Sequence, residues 1–213
     1  HFGVSLAVEA GEIMRKNFVL GMNKEWKKDN SPLTETDLLI NDLVIGQVKY
    51  KFPHHGVIAE EGSNYNNEEY VWICDPIDGT NPFSHGYPTF TFSLALTKRG
   101  RPILGILYDP ILDRLVVAED RKGASLNNKT KVEVNRSQSL FRSRIAIEDY
   151  MPQVRKKLLE EKCLITTFAC ISYSSLLVAL GQFGGAVWSG KTPWDGAAVQ
   201  IIIEEAGGIC TNL

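Results

Sequence analysis

No stretch of this sequence stays apolar for the ~18 residues that a membrane-spanning helix requires. The longest candidate, Ser175 to Val187, is interrupted by Gly181, Gln182, Gly184 and Gly185, so no membrane partner is expected. An excess of charge is also missing. Lys and Arg number 23 against 25 Asp and Glu, for a net charge of -2 at pH 7 and a pI of about 6.1. A nucleic-acid polymer would favour a basic surface, so it too is not an expected partner. Cysteine is scarce. Cys74, Cys163, Cys170 and Cys210 form no CxxC pair and no zinc-ligand spacing. They read as free thiols in a reducing cytoplasm. The amino end lacks the basic stretch, apolar run and small-residue cleavage site of a secretory leader. There is no internal repeat, low-complexity tract or long linker. What remains is 213 residues, 44% of them hydrophobic, enough apolar content to close a core. The chain begins at His1, and Gly207-Gly208-Ile209-Cys210-Thr211-Asn212-Leu213 reads as the opening of a strand. A fragment at both ends is therefore expected.

Val4, Ala7, Gly11, Met14 and Phe18 recur at helical spacing. A polar stretch from Asn23 to Asn30 follows, then a second helix with Ile40, Val44, Val48 and Phe52 as its buried stripe. Thr34 or Thr36 could cap it and Pro53 ends it. Gly56 to Ala59 and Tyr70 to Cys74 are continuous apolar runs that suit strands covered on both faces. The first ends at Glu60 and the second at Asp75. From Thr89 to Val134 the pattern is strand and turn, with strands at Thr89 to Thr97, Ile103 to Tyr108 and Leu115 to Ala118. This predicts an antiparallel meander. Helices are predicted again at Met151 to Lys162, Ser172 to Leu180, and from Trp194-Asp195 to about Ala206, where Gly207-Gly208 stops the last one. The whole reads as a layered α/β or α+β domain.

The chemistry is concentrated in four acids. Glu60 and Asp75 each follow an apolar strand, Asp78 lies in Asp75-Pro76-Ile77-Asp78-Gly79-Thr80, and Asp195 opens a helix. Acids at strand ends and helix starts can converge at one edge of a sheet, where ligands of open α/β sheets bind. Taken singly, an Asp-Pro is most often a turn, Glu60-Glu61 a solvated pair and Asp195 an N-cap. Together they offer more carboxylates than one Mg²⁺ takes, since that ion uses one or two plus waters and phosphate. Two or three ions sharing acids would fit, as in metal-assisted phosphoryl hydrolysis. Pro76 fixes a turn that can aim Asp75 and Asp78 to one side and leaves the Ile77 carbonyl as a further oxygen donor. Gly79-Thr80 then opens a helix whose amides could cradle a phosphate.

Ala59-Glu60-Glu61, Asp75-Pro76-Ile77-Asp78-Gly79-Thr80, and Trp194-Asp195-Gly196-Ala197-Ala198 with Glu205-Ala206-Gly207-Gly208 resemble the three motifs of the inositol monophosphatase family. These are lithium-sensitive, magnesium-dependent phosphatases. The resemblance runs over nearly the whole chain, in order. It implies an α-β-α-β-α sandwich, often dimeric, as one domain over residues 1–213, with a metal- and phosphate-site half at about 1–135 and a second half at about 136–213. It implies two or three Mg²⁺ ions held by Glu60, Asp75, the Ile77 carbonyl, Asp78 and Asp195. Gly79 and Thr80 would bind phosphate through their amides, with Asp195 also at the substrate. Thr80 and Asp37 would place the nucleophilic water, which Glu60 helps to activate. The implied reaction is hydrolysis of a small phosphate monoester, with inositol 1-phosphate or a related sugar phosphate first. Histidinol phosphate and 3'(2'),5'-bisphosphate nucleotides are the alternatives, and a metal- or phosphate-binding regulatory protein is the non-enzymatic one. Two departures bear on substrate. Val187-Trp188-Ser189-Gly190-Lys191-Thr192-Pro193 lacks the acid that inositol phosphatases usually carry there. Lys28-Asp29-Asn30-Ser31-Pro32-Leu33-Thr34 and Phe52-Pro53-His54-His55-Gly56-Val57-Ile58 are closer to the nucleotidase and histidinol-phosphatase branches. Trp188 could stack on a base, although a core role is the commoner one. His85 has a better claim to touch substrate than His54 or His55.

Overall fold

The structure, a computed structural model, describes residues 1–19, 24–26, 32–148, 150–190 and 192–211. The Lys28-Asp29-Asn30-Ser31 part of the opening motif, Asn23 and Lys27 of the polar stretch before it, and Lys191 lie outside the described residues. Two helices come first, α1 (Phe2–Asn17) and α2 (Glu35–Lys51), with a two-stranded antiparallel pair between them, β1 (Glu25–Trp26) and β2 (Pro32–Leu33). A seven-stranded sheet follows, ordered as in the chain: β3 (Gly56–Ala59), β4 (Tyr70–Asp78), β5 (Thr91–Lys98), β6 (Arg101–Asp109), β7 (Arg114–Glu119), β8 (Gly123–Leu126) and β9 (Thr130–Val132). Only β3 and β4 are parallel; the rest is the predicted meander. A short helix, α3 (Thr80–Ser84), joins β4 to β5.

The second half builds a smaller sheet that the sequence pattern did not reveal. β10 (Arg144–Ile147) lies between β11 (Leu164–Thr166) and β12 (Gly185–Val187), all parallel. The helices are α4 (Pro152–Glu160), α5 (Ile171–Ala179) and α6 (Pro193–Glu205).

Alternation along the central strands builds two cores. Trp72 and Cys74 of β4, Phe92 and Leu94 of β5, and Ile106 and Tyr108 of β6 face one way, onto Leu6, Ala10 and Met14 of α1 and Ile40, Val44 and Val48 of α2. Val71, Ile73, Ala95, Leu107 and Val116 face the other way, onto Leu176 of α5 and Val199 and Ile202 of α6. Helix α5 also packs on β12, and α4 on β11. The layers are therefore α1/α2, the large sheet, α5/α6, the small sheet and α4, the expected α-β-α-β-α sandwich. No described helix is long and apolar enough to cross a membrane.

The core packing also fixes where the site stands. Phe83, fully buried in α3, packs edge-on against Phe90 with centroids 4.8 Å apart. A buried Phe is worth about 1.5–3 kcal/mol, so this side chain alone anchors α3 in the core shared with α1 and α2. His55 is structural. It stacks between Phe52 and Tyr70, at 4.8 and 5.1 Å, and its Nδ1 accepts the indole N–H of Trp72 at 3.2 Å.

Candidate active site

Asp37 is buried because of its position on α2. It falls on the same face as Ile40, Asn41, Val44 and Val48, one turn before the apolar stripe begins. An acid placed there must be satisfied locally. Its Oδ2 accepts the Thr34 amide at 2.8 Å and the Thr34 hydroxyl at 2.6 Å, which caps the helix start. Its Oδ1 lies 3.2 Å from the Thr80 hydroxyl, 43 residues on. Thr80 Oγ1 is also 2.9 Å from the Ile77 carbonyl. The hydroxyl has one proton, so it donates to one of these two oxygens at a time.

Strand β4 does not stop at Cys74, as its apolar run predicts, but continues through Asp78. The extension is what aligns the two aspartates. Residues three apart on a regular strand point to opposite faces. Here Asp75 pairs with Ser93 and Asp78 with Thr91, so two residues of β4 stand against one of β5. This bulge restores the parity and turns both carboxylates to one side. Pro76, which has no N–H to give the ladder, suits the bulge. Glu60 continues parallel strand β3 past its end, its amide donating to the Cys74 carbonyl at 3.3 Å, which sets it beside Asp75. Asp195 lies in the first turn of α6, after Thr192 as N-cap and Pro193, where the helix dipole favours an anion. Gly190 passes so near that a Cβ there would stand 2.5 Å from Asp195 Oδ2.

The α3 entrance needs glycine. Gly79 has φ of 89°, and a Cβ would meet the Thr89 carbonyl at 2.9 Å and Cys170 at 3.0 Å. No other residue combines that backbone with that close approach.

The electrostatics follow from the crowding. Burial pushes Asp75 well above the usual carboxylate range, and the charges of Glu60, Asp78, Asp195 and Asp37 add to the shift, in that order. Asp75 Oδ1 is buried with no hydrogen-bond partner. Asp78 is pushed up to about 6, by burial first and Asp195 next, although hydrogen bonds from Ser172 and Ile171 oppose the shift. Burial raises Asp37 as well, against the bonds from Thr34 and Thr80. The charges of the four other acids expected at the site thus all reach Asp75.

Sequence reasoning missed the donors that hold Asp78. Its Oδ2 accepts the Ser172 amide at 2.6 Å and the Ser172 hydroxyl, and its Oδ1 accepts the Ile171 amide at 3.3 Å. These come from the start of α5, some 94 residues away. A serine at a helix start is a local signal for a cap, and nothing local names a partner so distant.

Among the described residues no three carboxylate, imidazole or thiol groups close on one point as a ready-made metal cage. Mg²⁺ does not require one, since it keeps several waters and takes one or two carboxylates per ion. The orphaned, buried Asp75 oxygen amid four further acids fits a hard cation. Of the other candidates, Trp188 is half-buried against the core shared with α5 and α6. His85 is exposed at the end of α3, where Nε2 meets Lys24 Nζ and Nδ1 meets the Asn81 carbonyl, both at 2.8 Å.

Comparison with known proteins gives one answer. The family model described as the inositol monophosphatase family matches residues 1–213. Inositol monophosphatase 3 of Solanum lycopersicum is 32% identical over 229 residues, covering 96% of this chain and 82% of that protein. A fructose-1,6-bisphosphatase/inositol-1-monophosphatase of Aquifex aeolicus is 30% identical, covering 96% and 82%. A solved IMPase/NADP phosphatase complexed with Mg²⁺ and phosphate superposes with a TM-score of 0.84 at 26% identity, over 96% of this chain and 79% of that one. With the three motifs in order and this arrangement of acids, the chain belongs to the inositol monophosphatase family and is a phosphoric monoester hydrolase.

Proposed function

We propose that this chain hydrolyses a small sugar phosphate of the inositol 1-phosphate type with Mg²⁺, at the acids around Asp75. The buried Asp75 oxygen that lacks a partner, amid Glu60, Asp78, Asp195 and Asp37, carries this reading. Glu60, Asp75, the Ile77 carbonyl, Asp78 and Asp195 would hold two or three ions between them. When bound, Mg²⁺ supplies Lewis-acid charge to the phosphoryl oxygens and acidifies water at neutral pH.

The protein's own groups then act by position. As a carboxylate, Asp37 accepts a hydrogen bond from the Thr80 hydroxyl, which leaves the lone pairs of Thr80 Oγ1 free to accept a hydrogen bond from water. That water would attack phosphorus, and Glu60 would take the proton it gives up. The amides of Gly79 and Thr80 are the cradle for the phosphoryl oxygens, and the tight Gly79 turn brings the backbone close enough to reach them. Preorganised donors of this kind supply most of the rate in phosphoryl transfer. Water attacks phosphorus as the ester P–O bond breaks, the leaving alkoxide takes a proton from solvent, and no covalent phosphoenzyme is needed.

The test is phosphate release from myo-inositol 1-phosphate, fructose 1,6-bisphosphate, 3'-phosphoadenosine 5'-phosphate and histidinol phosphate, each with Mg²⁺ and with EDTA. Release from the inositol or sugar phosphate with Mg²⁺ alone is expected. Preference for the nucleotide or for histidinol phosphate would move the substrate to those branches, which Lys28-Asp29-Asn30-Ser31-Pro32-Leu33-Thr34 and Phe52-Pro53-His54-His55-Gly56-Val57-Ile58 resemble more closely.

A further inference from the structure

The start of α5 holds two carboxylates, and only one of them belongs to the site described above. Glu148, just past β10, is the other. Its Oε2 accepts the amides of Phe168 at 3.0 Å, Ala169 at 2.7 Å and Cys170 at 3.4 Å, and its Oε1 accepts the Ser174 hydroxyl. The next two amides, Ile171 and Ser172, go to Asp78. The Tyr173 amide goes to Cys170 Sγ. Six consecutive amides are thus satisfied without one main-chain carbonyl, three by Glu148 and two by Asp78.

We propose that Glu148 is a positioning residue for Asp78. It fixes the 167–170 loop, and thereby the Ile171 and Ser172 donors that aim the Asp78 carboxylate at the ion site. The inference rests on the reading of Asp78 as a metal ligand.

Glu148 is itself anchored. Its amide continues the small sheet's ladder to the Val187 carbonyl at 3.0 Å, and the Thr167 hydroxyl bonds the Ile147 carbonyl at 2.8 Å. The loop it grips needs a clamp, because Ala169 sits at φ of 55°, a conformation that L residues rarely adopt. The loop in turn is wedged against the site. Cys170 packs on Gly79, and its thiol donates to the Asp78 carbonyl at 3.2 Å. A rigid path therefore runs from the small sheet through Glu148 to both the side chain and the main chain of Asp78. Asp78 Oδ2 accepts twice from Ser172, whereas among the described residues Oδ1 has only the long bond from Ile171. A shift of the α5 start would alter which oxygen is left for a cation. Groups that bond a metal ligand directly, here Ser172 and Ile171, typically change the metal's affinity by 10- to 100-fold when removed, so Glu148, one step further out, belongs at the low end of that range.

The experiment is isothermal titration of Mg²⁺ into the full chain stripped of metal, for the wild type, Glu148→Gln, Glu148→Ala and Asp78→Asn. Tyr108→Phe, which loses bonds to Arg15 and Asp113 at the far turn, serves as a control for stability alone. Glu148→Gln keeps the shape and an acceptor oxygen, so it tests the charge where Glu148→Ala could unfold the loop. We expect an Mg²⁺ dissociation constant about 10-fold higher for Glu148→Gln. We also expect kcat to be recovered at high Mg²⁺ and KM for substrate to change by less than about 2-fold. Tyr108→Phe should lower Tm and leave Mg²⁺ binding as in the wild type. Wild-type Mg²⁺ affinity in both Glu148 variants, with binding lost in Asp78→Asn, would overturn the role of Glu148 alone. Wild-type affinity in Asp78→Asn would overturn the metal-ligand reading, and this inference with it.

Discussion

Asp75→Asn should make the metal-free protein more stable while abolishing activity. Asp75 is 4% exposed, one of its oxygens has no partner, and four neighbouring acids repel its charge. Without a cation this group opposes folding. Asparagine has nearly the same shape, carries no charge, and its amide can donate to the acids around it. A buried polar group left unsatisfied costs about 1–3 kcal/mol, and removing that cost should raise stability by a similar amount. For a chain of this length 1 kcal/mol corresponds to about 2–4 °C in Tm. The gain expected in EDTA is therefore roughly 2–12 °C, the sign opposite to that of most buried substitutions. In saturating Mg²⁺ the order should reverse, because the wild type gains binding energy that the variant has lost. Differential scanning calorimetry of both proteins, with EDTA and with Mg²⁺, reads all four values. A lower Tm for Asp75→Asn in EDTA would refute the reasoning, since it would mean that the carboxylate already has a stabilising partner.

The same acids predict the pH dependence of the metal-free protein. Asp78 is pushed up to about 6, and Asp75 and Asp37 are also raised, so the folded state binds more protons than the unfolded one between about pH 4 and these values. Their contribution to stability is complete below the unfolded pKa and is lost as pH rises through the folded one. Tm in EDTA should thus increase from pH 8 to pH 6; a flat or falling profile would contradict it. Thr80→Val should lower kcat by about 10²- to 10⁴-fold, the usual yield of positioned proton transfer, with KM and Mg²⁺ affinity little changed. Gly79→Ala should destabilise by at least about 1–2 kcal/mol from its left-handed backbone and lose activity further through the clash with Thr89 and Cys170, as urea unfolding and phosphate release would read.

The parts of this fold that were legible in the sequence are those whose information is local. Ile40, Val44 and Val48 announce α2 by their spacing, and Gly56–Ala59 is read to the residue. Strand β4 was cut short because Asp-Pro ordinarily marks a turn. Only its pairing with β5 shows that the dipeptide sits in a bulge. Strands β11 and β12 escaped because each has three residues with no fully buried position, leaving no alternation to detect. The acids were legible as motifs. The Asp37–Thr80 contact was expected only through family resemblance, and the grip of Ser172 on Asp78 was not legible at all, because it spans half the chain.

Calorimetric titration of Mg²⁺ into the metal-free chain, set beside phosphate release from myo-inositol 1-phosphate over the same Mg²⁺ range, tests the central claim most directly. Saturable binding of two or three ions that rises in step with activity, and no release in EDTA, is the result predicted. Undiminished release in EDTA, or activity without measurable Mg²⁺ binding, would contradict it.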